Sequence, residues 1–285
     1  MKIGLQLPFT ALSPHPANFA RTAEALGFES FWIPEHPIFP VDAKTPFPLT
    51  NGPAPEIYSH LCDPFVTLSM AAAATTRLKI ATGICLLPER NPIVTAKTVA
   101  TLDALSNGRF IFGIGAGWLR EESDLLGVDF PHRWSQTAEY IAAMRELWSK
   151  DEASFDGRYV KFTPVRCNPK PIRQPGPPVL IGSLDKNVLK RVAKWADGWC
   201  PNRMPADYVK LKVEELRREC DKLGRDFSRL EISPFGLLEG DRSAVQDGLA
   251  EYRDAGATRF VIGLRYQLTP DTCQADLTRL ASLYL

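Results

Sequence analysis

Short apolar, strand-prone runs alternate with segments of helical period along nearly the whole chain, and this alternation predicts the fold. Residues 2–8 form the first β-rich run. Over 17–26, Phe19, Ala23 and Leu26 recur at helical spacing until Gly27 ends the turn. A strand over 28–34 pairs with a helix over 64–76, and a strand over 78–87 with a helix over 92–106. The fourth strand, 109–114, is expected to run into a long irregular stretch before its helix near 136–150, where Ile141, Met144, Leu147 and Trp148 share one face. Four more pairs follow: 178–183 with 188–196, 198–201 with the charged helix 205–223, 230–237 with 243–255, and 259–264 with 270–283.

Eight strand–helix units without a break in composition predict an α/β fold, one closed (β/α)8 TIM barrel of parallel strands formed as a single domain by residues 1–285. A doubly wound sheet would need only five or six strands and usually a second domain to reach this length. Two insertions interrupt the rhythm. Residues 38–63, after the second strand, contain Pro40, Pro46, Pro48, Pro53 and Pro55 and have no helical period, so they belong at the catalytic face and read as a lid. Residues 154–178, before the fifth strand, read as a hairpin turning at Asp156-Gly157 and then an extended, proline-rich connector.

Composition changes this picture little: 45% hydrophobic and 24% charged residues suit a globular enzyme. Charge excludes more. With 34 basic against 33 acidic residues there is no field to gather polyanions, so neither nucleic acid nor an anionic membrane is expected as a main partner. The first residues lack the pattern of a signal peptide and no apolar run reaches membrane-spanning length, so the expected location is cytoplasmic. Six dispersed cysteines without a CxxC pair are read as reduced. His15, His36, His60 and His132 show no metal-ligand spacing, so no metal is expected. Neither a GxSxG elbow nor a Walker A sequence occurs.

Ligand-binding groups of a barrel sit where strands end, which selects a short series of positions. His36 emerges from the buried run Phe31-Trp32-Ile33-Pro34, where an imidazole can relay a proton or hydrogen-bond a cofactor; the bland reading is a bond to the neighbouring loop. Glu35 beside it is expected to pair with a basic residue. The run Gly113-x-Gly115-x-Gly117 does not have dinucleotide-fingerprint spacing. It reads either as a tight turn needing positive φ, or as small residues (Gly115, Ala116, Gly117) leaving room for a flat ring against which Trp118 packs. Gly182-Ser183, leading to a helix expected near Lys186, reads equally as a phosphate site or as a plain N-cap. Gly83, inside a strand, marks a bulge or a close approach to the backbone.

These segments resemble the bacterial-luciferase-like monooxygenases and their deazaflavin-dependent relatives over essentially the whole chain. The resemblance is carried by Ala25-Leu26-Gly27-Phe28-Glu29-Ser30-Phe31-Trp32 with Glu35-His36, by Arg77 to Gly83 with Asn91-Pro92, and by Thr101-Leu102-Asp103 with Leu105-Ser106-Asn107-Gly108-Arg109. The glycine run with Trp118 and Glu121-Glu122, and Ala196-Asp197-Gly198-Trp199, complete it. It implies a flavin-like ring across the barrel mouth, with its phosphate near Gly182-Ser183-Leu184 and a non-prolyl cis peptide at Gly83-Ile84 behind the ring. His36 would lie near the reactive edge. A glutamate that some relatives carry just after the glycines is replaced by Trp118, so Glu121 and Glu122 are read as structural partners of basic residues rather than as the proton donor.

The resemblance further implies hydride transfer between coenzyme F(420) and a small organic substrate. FMN-dependent monooxygenation is the first alternative, and a non-catalytic flavin- or ligand-binding barrel the second. It implies a homodimer as well. Phe39, Phe47, Tyr58, Trp118 and Tyr266 are candidates for an apolar substrate pocket.

Overall fold

A computed structural model of the protein describes residues 1–264 and 268–285. The barrel strands are β1 (Lys2–Gln6), β2 (Ser30–Ile33), β3 (Lys79–Thr82) continued by β4 (Cys85–Leu86), and β5 (Phe110–Gly115). A separate antiparallel hairpin, β6 (Ala153–Asp156) and β7 (Lys161–Val165), precedes β8 (Val179–Ile181) and β9 (Gly198–Trp199). The series ends with β10 (Glu231–Ile232), its continuation β11 (Phe235–Gly236), and β12 (Arg259–Gly263).

Every pairing in the barrel is parallel, in the order β10-β9-β8-β5-β3-β2-β1-β12-β11. The two ends of that order are halves of one strand. On one side the Ser233 amide donates to the Trp199 carbonyl at 2.9 Å and the Phe235 amide to Pro201 at 2.8 Å. On the other, Ile232 and Pro234 carbonyls accept from Thr258 and Val261, each at 2.9 Å. The sheet therefore closes on itself at eight strand positions, as the alternation predicts.

The outer layer consists of α1 (Pro16–Leu26), α2 (Pro64–Ala73), α3 (Pro92–Leu105), α4 (Arg120–Leu125), α5 (Arg133–Ser149), α6 (Val188–Trp195), α7 (Ala206–Lys222), α8 (Arg242–Asp254) and α9 (Pro270–Tyr284). Local chemistry sets several starts. Proline opens α1, α2, α3 and α9, and side-chain oxygens of Asp63, Asn91 and Asp241 accept from first-turn amides of α2, α3 and α8. Among the described residues no helix is long and apolar enough to cross a membrane.

Alternate strand residues divide the core into two layers. Phe31, Ile33, Ile80, Phe110, Phe112, Phe260 and Ile262 belong to the cluster under the helices, whereas Trp32, Ala81, Ile111, Leu180, Phe235 and Val261 form a separate cluster inside the barrel. Below this plug lies Arg259, fully buried. Its guanidinium donates to Glu29 at 2.7 and 2.9 Å, to Glu231 at 2.6 Å and to Ser233 at 2.9 Å, and stacks 5.5 Å from the Trp32 ring. Arg259 at the start of β12 thus joins Glu29, just before β2, and residues of the seventh strand, so one side chain ties off the N-terminal end.

The third strand is broken after Thr82 by a cis peptide at Gly83–Ile84, as the resemblance implies. Two boundaries differ from the sequence reading. The seventh strand is broken at Ser233-Pro234. The stretch after β5 is not irregular throughout: α4 follows the glycine turn at once, and α5 begins at Arg133 rather than near Gln136. Arg133 anchors that earlier start by donating to the Gly117 carbonyl at 3.1 Å and the Phe130 carbonyl at 2.9 Å. A polar residue outside the apolar repeat carries no periodic signal.

Candidate active site

The C-terminal ends of the strands surround a cavity of about 360 Å³, within the range typical of small-molecule sites. Its floor is Gly83, Ile84 and Leu86. The Gln6 amide donates to the Gly83 carbonyl at 2.5 Å, and the Gly83 amide donates to Ile33 at 2.7 Å, so β1 and β2 both hold the break in the third strand. Ile84 fits a slot between β5 and β8. A Cβ on Gly115 would stand 2.1 Å from its Cδ1, and one on Gly182 2.6 Å from its Cγ2.

That slot refines the reading of the glycine run. Gly113 is small because the Thr82 carbonyl passes 2.1 Å from where its Cβ would be, and Gly115 because of Ile84. Gly117 adopts φ +79° and backs onto Glu89, whose Oε1 would lie 2.8 Å from an added Cβ. Ala116, Gly117 and Trp118 face the cavity; Gly115 supports it through Ile84. The tight-turn reading holds at Gly117, whereas Gly113 and Gly115 are small to admit the chain's own Thr82 carbonyl and Ile84 side chain.

His36 lines the cavity with its side chain 6% exposed. Its Nδ1 lies 2.6 Å from Oε2 of Glu122, which is fully buried and accepts the Ile38 amide at 3.3 Å through its other oxygen. A carboxylate on Nδ1 selects the tautomer with the proton there and leaves the Nε2 lone pair for the cavity. Glu122 is therefore the orienting partner of His36. Glu121 serves the insertion instead, accepting the Lys44 and Thr45 amides at 2.8 and 3.0 Å and the Thr45 hydroxyl at 2.7 Å, and these bonds, Thr45 first, hold its carboxyl at about 2. Glu35 pairs with Arg90, as expected, and accepts the Leu86 amide at 2.6 Å.

The insertion covers the mouth with rings. Phe47 and Tyr58 line the cavity with Trp118; Tyr58 and Trp118 lie 5.2 and 5.7 Å from the His36 ring, and Phe47 is 5.5 Å from each of those two. Phe39 packs edge-on to His36 at 5.6 Å without lining the cavity. Tyr266 lies outside the described residues.

At the far end stand Ser183, Leu184 and Asp185 opposite Arg133 and Trp134. Ser183 is not an N-cap: α6 starts at Val188 after Asn187, and the Ser183 hydroxyl accepts the Asp185 amide at 3.0 Å. The start of α6 has no side-chain cap, and Arg191 and Arg133 face Asp185; against the opposing effect of burial, Arg191, the Asn187 amide and Arg133 hold its carboxyl below the ordinary range. Gln6, Arg133, Trp134, Asn202 and Phe235 also face the cavity and were not singled out as site residues by sequence. Gln6 and Asn202 do fall at predicted strand ends, which was the available signal. Nothing marks Arg133 and Trp134.

The model of the family described as luciferase-like monooxygenase matches residues 15–238. An uncharacterized protein of Mycobacterium tuberculosis is 36% identical over 99% of this chain and 98% of its own. Among solved structures, the monooxygenase RslO1 from Streptomyces bottropensis superposes with a TM-score of 0.78 at 21% identity, covering 100% of this chain and 98% of that one. An F(420)-dependent secondary alcohol dehydrogenase, in complex with an F(420)-acetone adduct, gives 0.75 at 20% identity, with 99% and 97% covered.

Proposed function

Because the chain belongs to the luciferase-like monooxygenase family of oxidoreductases, some members of which use F(420) and others FMN, we propose that its cavity carries out hydride transfer between coenzyme F(420) and a small organic substrate. The observation that carries this reading is the His36–Glu122 pair facing the cavity. Moving a hydride to or from a carbon that bears oxygen requires a proton to leave or reach that oxygen, and Nε2 of His36 is placed to exchange it. The likeness in size and fold to an F(420)-dependent secondary alcohol dehydrogenase supports the same choice.

The donor set fits a flat ring with an anionic tail. A flat apolar floor, Gly83-Ile84 and Leu86, lies against an aromatic wall that includes Trp118; Ala116 and Gly117 leave space beside it. At the other end Gly182, Ser183 and Leu184, the uncapped start of α6 and Arg133 offer hydrogen bonds and positive potential to a phosphate. When bound, the deazaflavin supplies hydride acceptance and donation at its C5. The chain does the rest. Trp118, Phe47 and Tyr58 exclude water, Glu122 fixes the tautomer of His36, and His36 takes or returns the substrate proton.

FMN-dependent monooxygenation is the second reading, favoured by the likeness to the RslO1 monooxygenase. Calorimetric titration with each cofactor, followed by turnover with secondary alcohols, separates the two. Tight binding of F(420) with alcohol-dependent reduction supports hydride transfer; binding of FMN alone, with oxygen consumption, supports the second.

A further inference from the structure

Behind the glycine turn lies a second cavity, about 410 Å³, bounded by Glu89, Gln136, Tyr140 and Tyr159. Three buried side-chain oxygens of this wall, Glu89 Oε2, Gln136 Oε1 and Tyr159 Oη, have no hydrogen-bond partner among the described residues. Buried polar atoms are rarely left so. Glu89, 8% exposed, stands between the two cavities. One carboxyl oxygen accepts from the Ser123 hydroxyl at 2.8 Å and backs onto Gly117 of the first; the other has no partner among the described residues.

We propose that Glu89, a buried acid standing between the two cavities, is a positioning residue for His36 that sets the charge felt by the Glu122–His36 pair. The proposal rests on the reading of His36 given above. No cation is assigned to Glu89: its neighbour Arg90 is bound to Glu35 and Asp63, and Lys161, at the edge of the second cavity, is paired with Asp156. Two carboxylates face it, Glu122 from α4 and Glu35 from the end of β2; the remaining titratable groups on the chamber wall are the phenols Tyr140 and Tyr159. Burial first, then the charge on Glu122, raise the Glu89 carboxyl to about 8, while the Ser123 hydroxyl and Arg90 work in the opposite direction. Its ionisation would place a second negative charge beside Glu122 and raise the proton affinity of the imidazole that Glu122 holds.

Three readouts test this on the cofactor-free protein. Infrared difference spectra of E89Q against the unaltered protein at neutral pH should show loss of a protonated carboxylic acid band. The His36 ring, followed by NMR on labelled histidine and assigned with H36N, should show an inflection near pH 8 that E89Q lacks. Ser123→Ala keeps the carboxyl but removes a bond that favours its charged form, and should move that inflection to higher pH. Absence of the acid band, or identical His36 curves in all three proteins, would overturn the proposal. If H36N instead retained full turnover, the reading of His36 would fail while the infrared result for Glu89 stood, so the two failures are distinguishable.

Discussion

His36 illustrates what one side chain owes to its surroundings. Replacing it with Asn removes the ring nitrogen that meets the cavity, and kcat should fall roughly 10²- to 10⁴-fold with cofactor affinity nearly unchanged. Glu122→Gln should give a smaller loss, because the ring remains but its tautomer is no longer selected by a carboxylate 2.6 Å away. Steady-state kinetics checks both. Glu89 has a separate signature in stability. Its folded value of about 8 exceeds the ordinary carboxyl value of 4.5, so between those pH values the native state keeps a proton that the unfolded chain has lost. Stability should therefore fall as pH rises through this window, by up to about 1.4 kcal/mol per pH unit from this group. Denaturant unfolding of E89Q should lack that component; parallel curves for the two proteins would contradict it.

At the scale of elements, the floor of the cavity depends on fitting Ile84 between two strand ends. Gly115→Ala should cost about 1–3 kcal/mol by overpacking against Ile84 Cδ1, and Ile84→Val, which removes that carbon, should recover part of it in the same chain, as a double-mutant cycle in thermal unfolding would show. The insertion over 38–63 offers a second case. Glu121→Ala removes three bonds that hold Lys44 and Thr45, so limited proteolysis should cut this segment faster while the barrel resists. The strands and their helices were legible because apolar periodicity reports which face is buried. A glycine inside a strand signalled the irregularity at Gly83 and the resemblance gave its cis form, whereas the break at Ser233-Pro234 was not read. Likewise α4 is short, polar and without a side-chain cap, and its sequence carries no helical stripe. The pairing of Glu122 with His36, 86 positions apart, depends on where α4 places it; sequence offered a carboxylate and no partner.

Across the whole molecule, the two ends of the barrel do different work. The N-terminal end is closed by Arg259, which gathers Glu29 and Glu231 and, with Lys79, holds the Glu29 carboxyl at about 2 against the opposing effect of burial. Arg259→Met should destabilise the fold by roughly 1–3 kcal/mol, because it takes the cation from Glu231 and leaves Glu29 with Lys79 alone, yet should leave cofactor affinity near the original value below the unfolding transition. The C-terminal end carries the apolar floor, the aromatic wall and the His36–Glu122 pair, and its value lies in bringing them to one cavity. The most direct test of that claim is calorimetric titration of the protein with F(420) and with FMN, paired with alcohol-dependent reduction of F(420) by the unaltered protein and H36N. The account predicts micromolar or tighter binding of F(420) by both proteins and turnover by the unaltered one alone. Binding of FMN only, or equal turnover by H36N, would contradict it.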